Sequence, residues 1–196
     1  MAKPKVAPVG APTKRLFFAL WPDAVLKASI AGIARTPARA VSGRRVRDES
    51  IHLTLLFLGS VAADAEARLA REAACVRVRP FDLVLDRIGA FFRARVLWVG
   101  PSQAPAELAD LRRQLEAAAA RAAVPFDPKP LVPHLTCYRD VRKALEPAPI
   151  EPQRWAVRDF ALVQSVAGQY HVVSQWPLHT ASVTNVKTVQ ATGGTE

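Results

Sequence analysis

SIHLTLLFLG at residues 50–59 and PHLTCY at residues 133–138 share the triplet His-Leu-Thr, in a chain with only four histidines. Side chains on a β-strand alternate between its faces, so His52 and Thr54 fall on one side and Ile51, Leu53, Leu55 and Phe57 on the other. The same parity puts His134 beside Thr136 and turns Leu135 and Cys137 away. Each triplet therefore predicts a strand with an apolar face for covering helices and an open face that carries an imidazole next to a hydroxyl.

Outward from the first triplet, residues 15–20 read as a short apolar strand, after which Pro22-Asp23 offers a turn and a helix N-cap. Leu26, Ile30 and Ile33 recur at helical spacing and predict a helix stopped by Thr36-Pro37. A basic loop over residues 39–47 leads to the strand at 51–58, and Asp64 is placed to cap a second helix with Leu69, Ala73 and Val76 on its inner stripe. Residues 81–88 and 95–99 read as strands, and 105–123 as a helix packed through Leu108, Leu111 and Leu115. The connector DPKPLVP, residues 127–133, delivers the chain to His134, and residues 156–164 and 170–176 alternate as closing strands. Residues 1–13 and 179–196 lack periodicity and are expected tails, which leaves 14–178 as one domain.

These pieces contain a weak repeat. RLFFALWP, a helix and HLT resemble RVLWVGP, a helix and HLT, with 34 residues from Phe18 to His52 and 37 from Leu97 to His134. A pattern seen twice indicates duplication and two lobes about an approximate two-fold axis. Packed that way, the two His-Thr couples face one another across a cleft.

Two imidazoles with an unperturbed pKa near neutrality supply a general base and a general acid in one turnover. Each threonine adds a donor suited to an oxygen that gains charge in the transition state. A lone strand histidine is more often a packed core residue, but recurrence at matching places in a repeat sets His52 and His134 apart; His171 and His179 have no such setting. No acidic residue or cysteine pair stands at metal-ligand spacing beside either triplet, and no Gly-rich phosphate loop or GxSxG elbow occurs. Tyr170, Trp21 and Phe92 are able to stack on a base, although core packing is the commoner use of such residues. Arg44, Arg45 and Arg47 fit a solvated loop better than a phosphate clamp.

Lys and Arg number 27 against 17 Asp and Glu, a formal charge of +10 whose field draws polyanions. With two acid-base groups and hydroxyl donors, that charge points to a phosphodiester as target. Cys75 and Cys137 are expected to be reduced, buried thiols. Pro22 and Asp23 end the first apolar run too early for a signal segment, and no window approaches a membrane span, so a soluble cytoplasmic protein without membrane contact is expected.

The two HxTx motifs, HLTL at 52–55 and HLTC at 134–137, with RLFFALWPD ahead of the first and PHLT opening the second, resemble the two-histidine (2H) phosphoesterases. Within them the chain is similar to the bacterial RNA 2',3'-cyclic phosphodiesterases, also called 2'-5' RNA ligases, over roughly residues 14–178, including FALVQS at 160–165. The resemblance implies a bilobal α+β fold, its antiparallel sheets lining a central cleft and its helices outside. It implies hydrolysis of a 2',3'-cyclic phosphate to a 2'-phosphate with no metal or other cofactor, on an RNA end or a cyclic nucleotide, by a monomer. By position, His52 protonates the departing 3' oxygen, His134 activates water, and Thr54 and Thr136 hold the non-bridging oxygens, with Tyr170 a further substrate contact. Arg139 matches an arginine common after the second motif, yet strict alternation turns it away from Thr136 unless the strand ends or bulges there. Val132 before Pro133, and Cys137-Tyr138, depart from the family pattern in ways that bear on substrate preference. The same cleft would serve a 2',5'-oligonucleotide phosphodiesterase, and a non-catalytic RNA-binding protein would keep both the cleft and the charge.

Overall fold

Leu53 and Leu135, the middle residues of the two triplets, pair with each other across antiparallel strands at the centre of a single sheet. The computed structural model describes residues 12–179. In chain order they form β1 (Thr13–Leu20), α1 (Ala24–Val41), β2 (Arg44–Arg45), a 3-10 turn (Asp48–Ser50), β3 (Leu53–Ala62), α2 (Ala63–Ala73), β4 (Phe81–Phe91) and β5 (Val96–Gly100). They continue with α3 (Ala106–Arg121), β6 (Leu135–Arg139), β7 (Ala148–Val157), β8 (Asp159–Val166) and β9 (Gln169–Pro177). The fold is α+β, as expected. β1 begins at Thr13, inside the expected N-terminal tail; residues 1–11 and 180–196 of the two tails lie outside the described residues.

The nine strands run in the order β7-β4-β5-β6-β3-β1-β8-β9, with β2 added to β6, and every pairing is antiparallel. Counted outward from the β6/β3 junction, β5 and β1, β4 and β8, and β7 and β9 occupy corresponding positions in the strand order. Leu53, Leu55, Leu135 and Cys137 are buried in one core with Ile30 of α1, Leu69 of α2 and Leu111 and Leu115 of α3. The helices are exchanged between the halves: α1 follows β1 but packs on β5, β6 and β7, whereas α3 follows β5 but packs on β3 and α2. Separating the halves would expose the buried faces of both helices, so apolar burial holds the sheet together where its strand pairing is thinnest.

Several expectations are corrected. α1 runs through Thr36-Pro37 to Val41, with Pro37 inside it. One lost N–H is outweighed because the buried stripe Ile30, Ala31, Ala34, Ala38 and Val41 continues past the proline. Its start is as read, with Asp23 accepting from the Leu26 N–H at 2.8 Å. Asp64 sits in the first turn of α2 and pairs with Arg68 at 2.8 Å, while Ala62 holds the cap position. β7 contains Pro149 and Pro152 and is an edge strand paired only with β4, where a missing N–H costs little. Cys75 is exposed, against the expectation; Cys137 is buried, and burial pushes its thiol pKa up to about 12. Among the described residues no helix is long and apolar enough to cross a membrane.

β5 ends at Gly100, where the backbone passes close to the segment that carries His134. A Cβ on Gly100 would lie 2.7 Å from the Pro133 carbonyl oxygen, a backbone atom that cannot swing aside. Gly100→Ala is expected to lower stability by about 1–3 kcal/mol in urea denaturation; an unchanged midpoint would show that this approach has slack.

Candidate active site

Strict alternation fails at the same place in each central strand, and β3 breaks it once more at Leu58, where Leu16 faces Gly59 and Phe17 faces Phe57. Along β1, Phe18 faces Leu56 and Ala19 faces Thr54, so Leu55 is an extra residue. Along β5, Leu97 faces Tyr138 and Trp98 faces Thr136, so Cys137 is an extra residue. Each of these matching bulges follows the threonine of its motif and flips the parity beyond it. Thr136 and Arg139 therefore share a face, which meets the condition that the sequence set for Arg139. The same flip overturns the buried position expected for Phe57, which is 55% exposed.

His52, Thr54, His134 and Thr136 line one cleft of about 900 Å³, together with Phe57, Arg139 and Tyr170. The antiparallel Leu53–Leu135 register sets His52 against Thr136 and Thr54 against His134. His52 Nδ1 donates to the Ser50 carbonyl at 2.7 Å, and His134 Nδ1 donates to the Val132 carbonyl at 2.7 Å. A carbonyl only accepts, so Nδ1 carries the proton in both rings and Nε2 is the free nitrogen of each neutral imidazole. In His52 that Nε2 accepts from the Thr54 hydroxyl at 3.1 Å.

The surroundings of the two rings differ. Trp21 stacks on His52 at 5.3 Å, Tyr170 meets it edge-on at 4.9 Å, and Phe17 lies 5.1 Å away. Behind Trp21 the buried Lys27 places its ammonium 4.4 Å from an indole ring centre and bonds the Glu49 carbonyl. Burial lowers the His52 pKa to about 4; the Ser50 bond opposes that shift, and the charges of Arg139, Lys27 and His134 add to it. Among the described residues His134 has one aromatic neighbour, Phe91, edge-on at 5.2 Å. Its pKa is lowered too, by burial first and by Arg139, against the Val132 bond. The resting site thus holds both imidazoles neutral at pH 7, His52 more firmly.

Other candidates fall outside the cleft. Arg44, Arg45 and Arg47 pair with Asp140, Asp48 and Glu49, as a solvated loop does. His171 and His179 are exposed. Phe92 is 64% exposed at the tip of the β4–β5 hairpin, so it has no place in the core. Among the described residues no three His, Cys, Asp or Glu side chains gather as metal ligands.

A family model described as the 2'-5' RNA ligase superfamily matches residues 22–169, a span that contains both motifs and the cleft. The chain belongs to this superfamily. Among relatives in it, the RNA 2',3'-cyclic phosphodiesterase of Escherichia coli is 35% identical over 170 residues, covering 84% of this chain and 97% of the relative. The protein of the same name from Archaeoglobus fulgidus is 30% identical over 162 residues, covering 78% and 91%. The crystal structure of E. coli LigT complexed with 3'-AMP superposes with a TM-score of 0.76 at 34% identity, over 85% of this chain and 99% of that one.

Sequence reading missed Arg112, on α3. It is half-buried between the two motifs: its guanidinium donates to the carbonyl of Leu55, the bulge residue, and to the carbonyls of Asp127 and Lys129 at 3.0 and 3.2 Å. Glu116 holds its Nε at 2.6 Å. The bulge after the first motif and the connector to the second are thereby tied to one side chain. The available signal was a charge beside the apolar stripe of Leu108, Leu111 and Leu115. Arg112→Ala is expected to cost about 2–4 kcal/mol by stranding three carbonyls and a carboxylate. Arg112→Lys, which lacks the planar fork, should recover less than half of that loss in the same urea titration; full recovery would reduce the role to charge alone.

Proposed function

We propose that this protein is an RNA 2',3'-cyclic phosphodiesterase that opens the cyclic phosphate at an RNA end to a 2'-phosphate and a free 3'-hydroxyl. The observation that carries this reading is that His52 and His134, each two residues from a threonine on its strand, line one cleft. The similarity to relatives named for that reaction supports it.

In the step proposed, a water oxygen attacks phosphorus while His134 Nε2 takes its proton. The bond from phosphorus to the 3' oxygen breaks, and His52 delivers a proton to that oxygen. Exchange with solvent then returns the proton from His134 and recharges His52. The unequal surroundings suit this division. Desolvation makes the His52 imidazolium a strong acid, loaded only when the phosphate's charge enters the cleft, and it leaves His134 the stronger base. Once His52 Nε2 carries a proton it no longer accepts from Thr54, whose hydroxyl is released to a non-bridging oxygen. Thr136 serves the other oxygen, Arg139 offsets the phosphate charge, and Tyr170 holds the His52 ring at the rim of the substrate site. A 5'-hydroxyl in place of water gives a 2',5' linkage by the same step, in keeping with the superfamily's description.

Alanine at His52 or at His134 is expected to lower kcat by about 10² to 10⁴ on an RNA with a cyclic phosphate end. Full turnover in both variants would remove the mechanism. The pH dependence is set by the free enzyme, which reacts with one proton on the pair. Both pKa values lie below the ordinary 6.5, so the pair gains a second proton below the lower value and loses its last as pH rises through the higher one. kcat/KM should peak on the acid side of neutrality, fall by about tenfold per pH unit at higher pH, and show its acid limb near the His52 value of about 4. A plateau through pH 8 would contradict the neutral resting state.

A further inference from the structure

The tip of the β4–β5 hairpin consists of Phe92, Arg93, Ala94 and Arg95, all exposed. Phe92 and Phe57 are the only aromatic side chains among the described residues that stand out so far into solvent. Phe57 belongs to the cleft; Phe92 does not. Phe92, Arg93, Arg95, Val141 and Arg142 line a separate groove of about 460 Å³. Its two walls are fastened together, because the Val141 N–H donates to the Arg95 carbonyl at 3.1 Å and the Ala90 N–H donates to the Leu145 carbonyl at 2.9 Å. Arg95 holds a left-handed φ of 54° that a glycine would adopt at lower cost, yet the position carries a guanidinium.

The charge of this region is not neutralised. Among the described residues Arg93, Arg95, Arg139 and Arg142 make no ion pair. Asp140, the acid next to them in the chain, is held by Arg44. The groove also adjoins the cleft: Ala94 lines the cleft while its neighbours Arg93 and Arg95 line the groove, and Arg139 pairs with Val96 at the foot of the same hairpin. Arg139 stands three residues past Thr136, ~10 Å along a strand. A strand seated in the cleft and continuing past Arg139 would meet this groove with a neighbouring nucleotide and not the terminal one.

We propose that this groove is a second binding site, for the RNA strand that leads to the cyclic phosphate end, with Arg93 and Arg142 on backbone phosphates and Phe92 stacked on a base. The proposal rests on the catalytic function proposed above. Free guanidinium groups around an exposed aromatic face match a single-stranded nucleic acid, which alternates phosphate charge with flat bases and is bound without regard to sequence. The consequence is a preference for oligonucleotides over mononucleotides that arises outside the catalytic cleft.

The test compares a nucleoside 2',3'-cyclic monophosphate with a single-stranded RNA of about ten nucleotides ending in a cyclic phosphate. Wild type, Phe92→Ala and the double variant Arg93→Ala/Arg142→Ala are assayed; Arg95 is kept because of its backbone conformation. Turnover of the mononucleotide should be unchanged in both variants, which also shows that they fold. On the RNA, kcat/KM should fall about 5- to 20-fold for Phe92→Ala. The arginine variant should lose at least as much at low salt, with the salt slope smaller by about 1.4 for two lost phosphate contacts. Equal effects on both substrates, or none on the RNA, would overturn the groove. Should wild type open neither substrate, the catalytic function falls, and the groove is then judged separately by fluorescence anisotropy of a labelled RNA. In that measurement the same variants must weaken binding, and unchanged affinity rejects the site.

Discussion

One antiparallel contact, Leu53 against Leu135, sets the position of both His-Thr couples. Because the paired residues are the centres of identical triplets, the residues on either side of them are brought together in reversed order: histidine against threonine, twice. The strand pairing there is narrow, and it endures because each half lends a helix to the other. Burial of Leu53 and Leu135 on the helix side leaves the polar residues of both triplets no direction but the cleft.

The two triplets are alike, but their surroundings in the cleft are not. At the position three residues after each motif threonine, where the bulges have reversed parity, one half presents Phe57 and the other Arg139. Around His52 stand Trp21, Tyr170 and Phe17, whereas among the described residues His134 has Phe91 alone. Two imidazoles of equal proton affinity would have no reason to act in a fixed order. Desolvation makes them unequal, and it comes from Phe17 on β1, Trp21 just after β1 and Tyr170 on β9, none of which belongs to a motif.

Much of this was legible. The doubled triplet, the parity within it and the strand-helix-strand repeat needed only the alternation of a β-strand and the periodicity of a helix. Where the reading failed, a tertiary energy outweighed a local rule. Pro37 did not stop α1, because the stripe beyond it still had a core to fill. No strand is read from the sequence over residues 148–155, yet β7 forms there with Pro149 and Pro152 inside it, because an edge strand has one side free. The bulges left a trace in the consecutive apolar residues Leu55-Leu56 and Cys137-Tyr138, which alternation alone does not explain. Arg112 showed only as a charge beside an apolar stripe with Glu116 four residues on; its link to the two motifs runs through backbone carbonyls, which carry no residue-type signal.

The amino-acid sequence by itself determined that two His-Thr couples recur and that each couple shares one face of its strand, since both facts follow from residue identity and a period of two. Tertiary structure alone decided that the couples meet in one cleft and that Arg139 turns back toward Thr136. It also decided that His52 is held neutral more firmly than His134. Those outcomes depend on distances and desolvation between segments far apart in the chain, and such quantities exist only once the chain has folded.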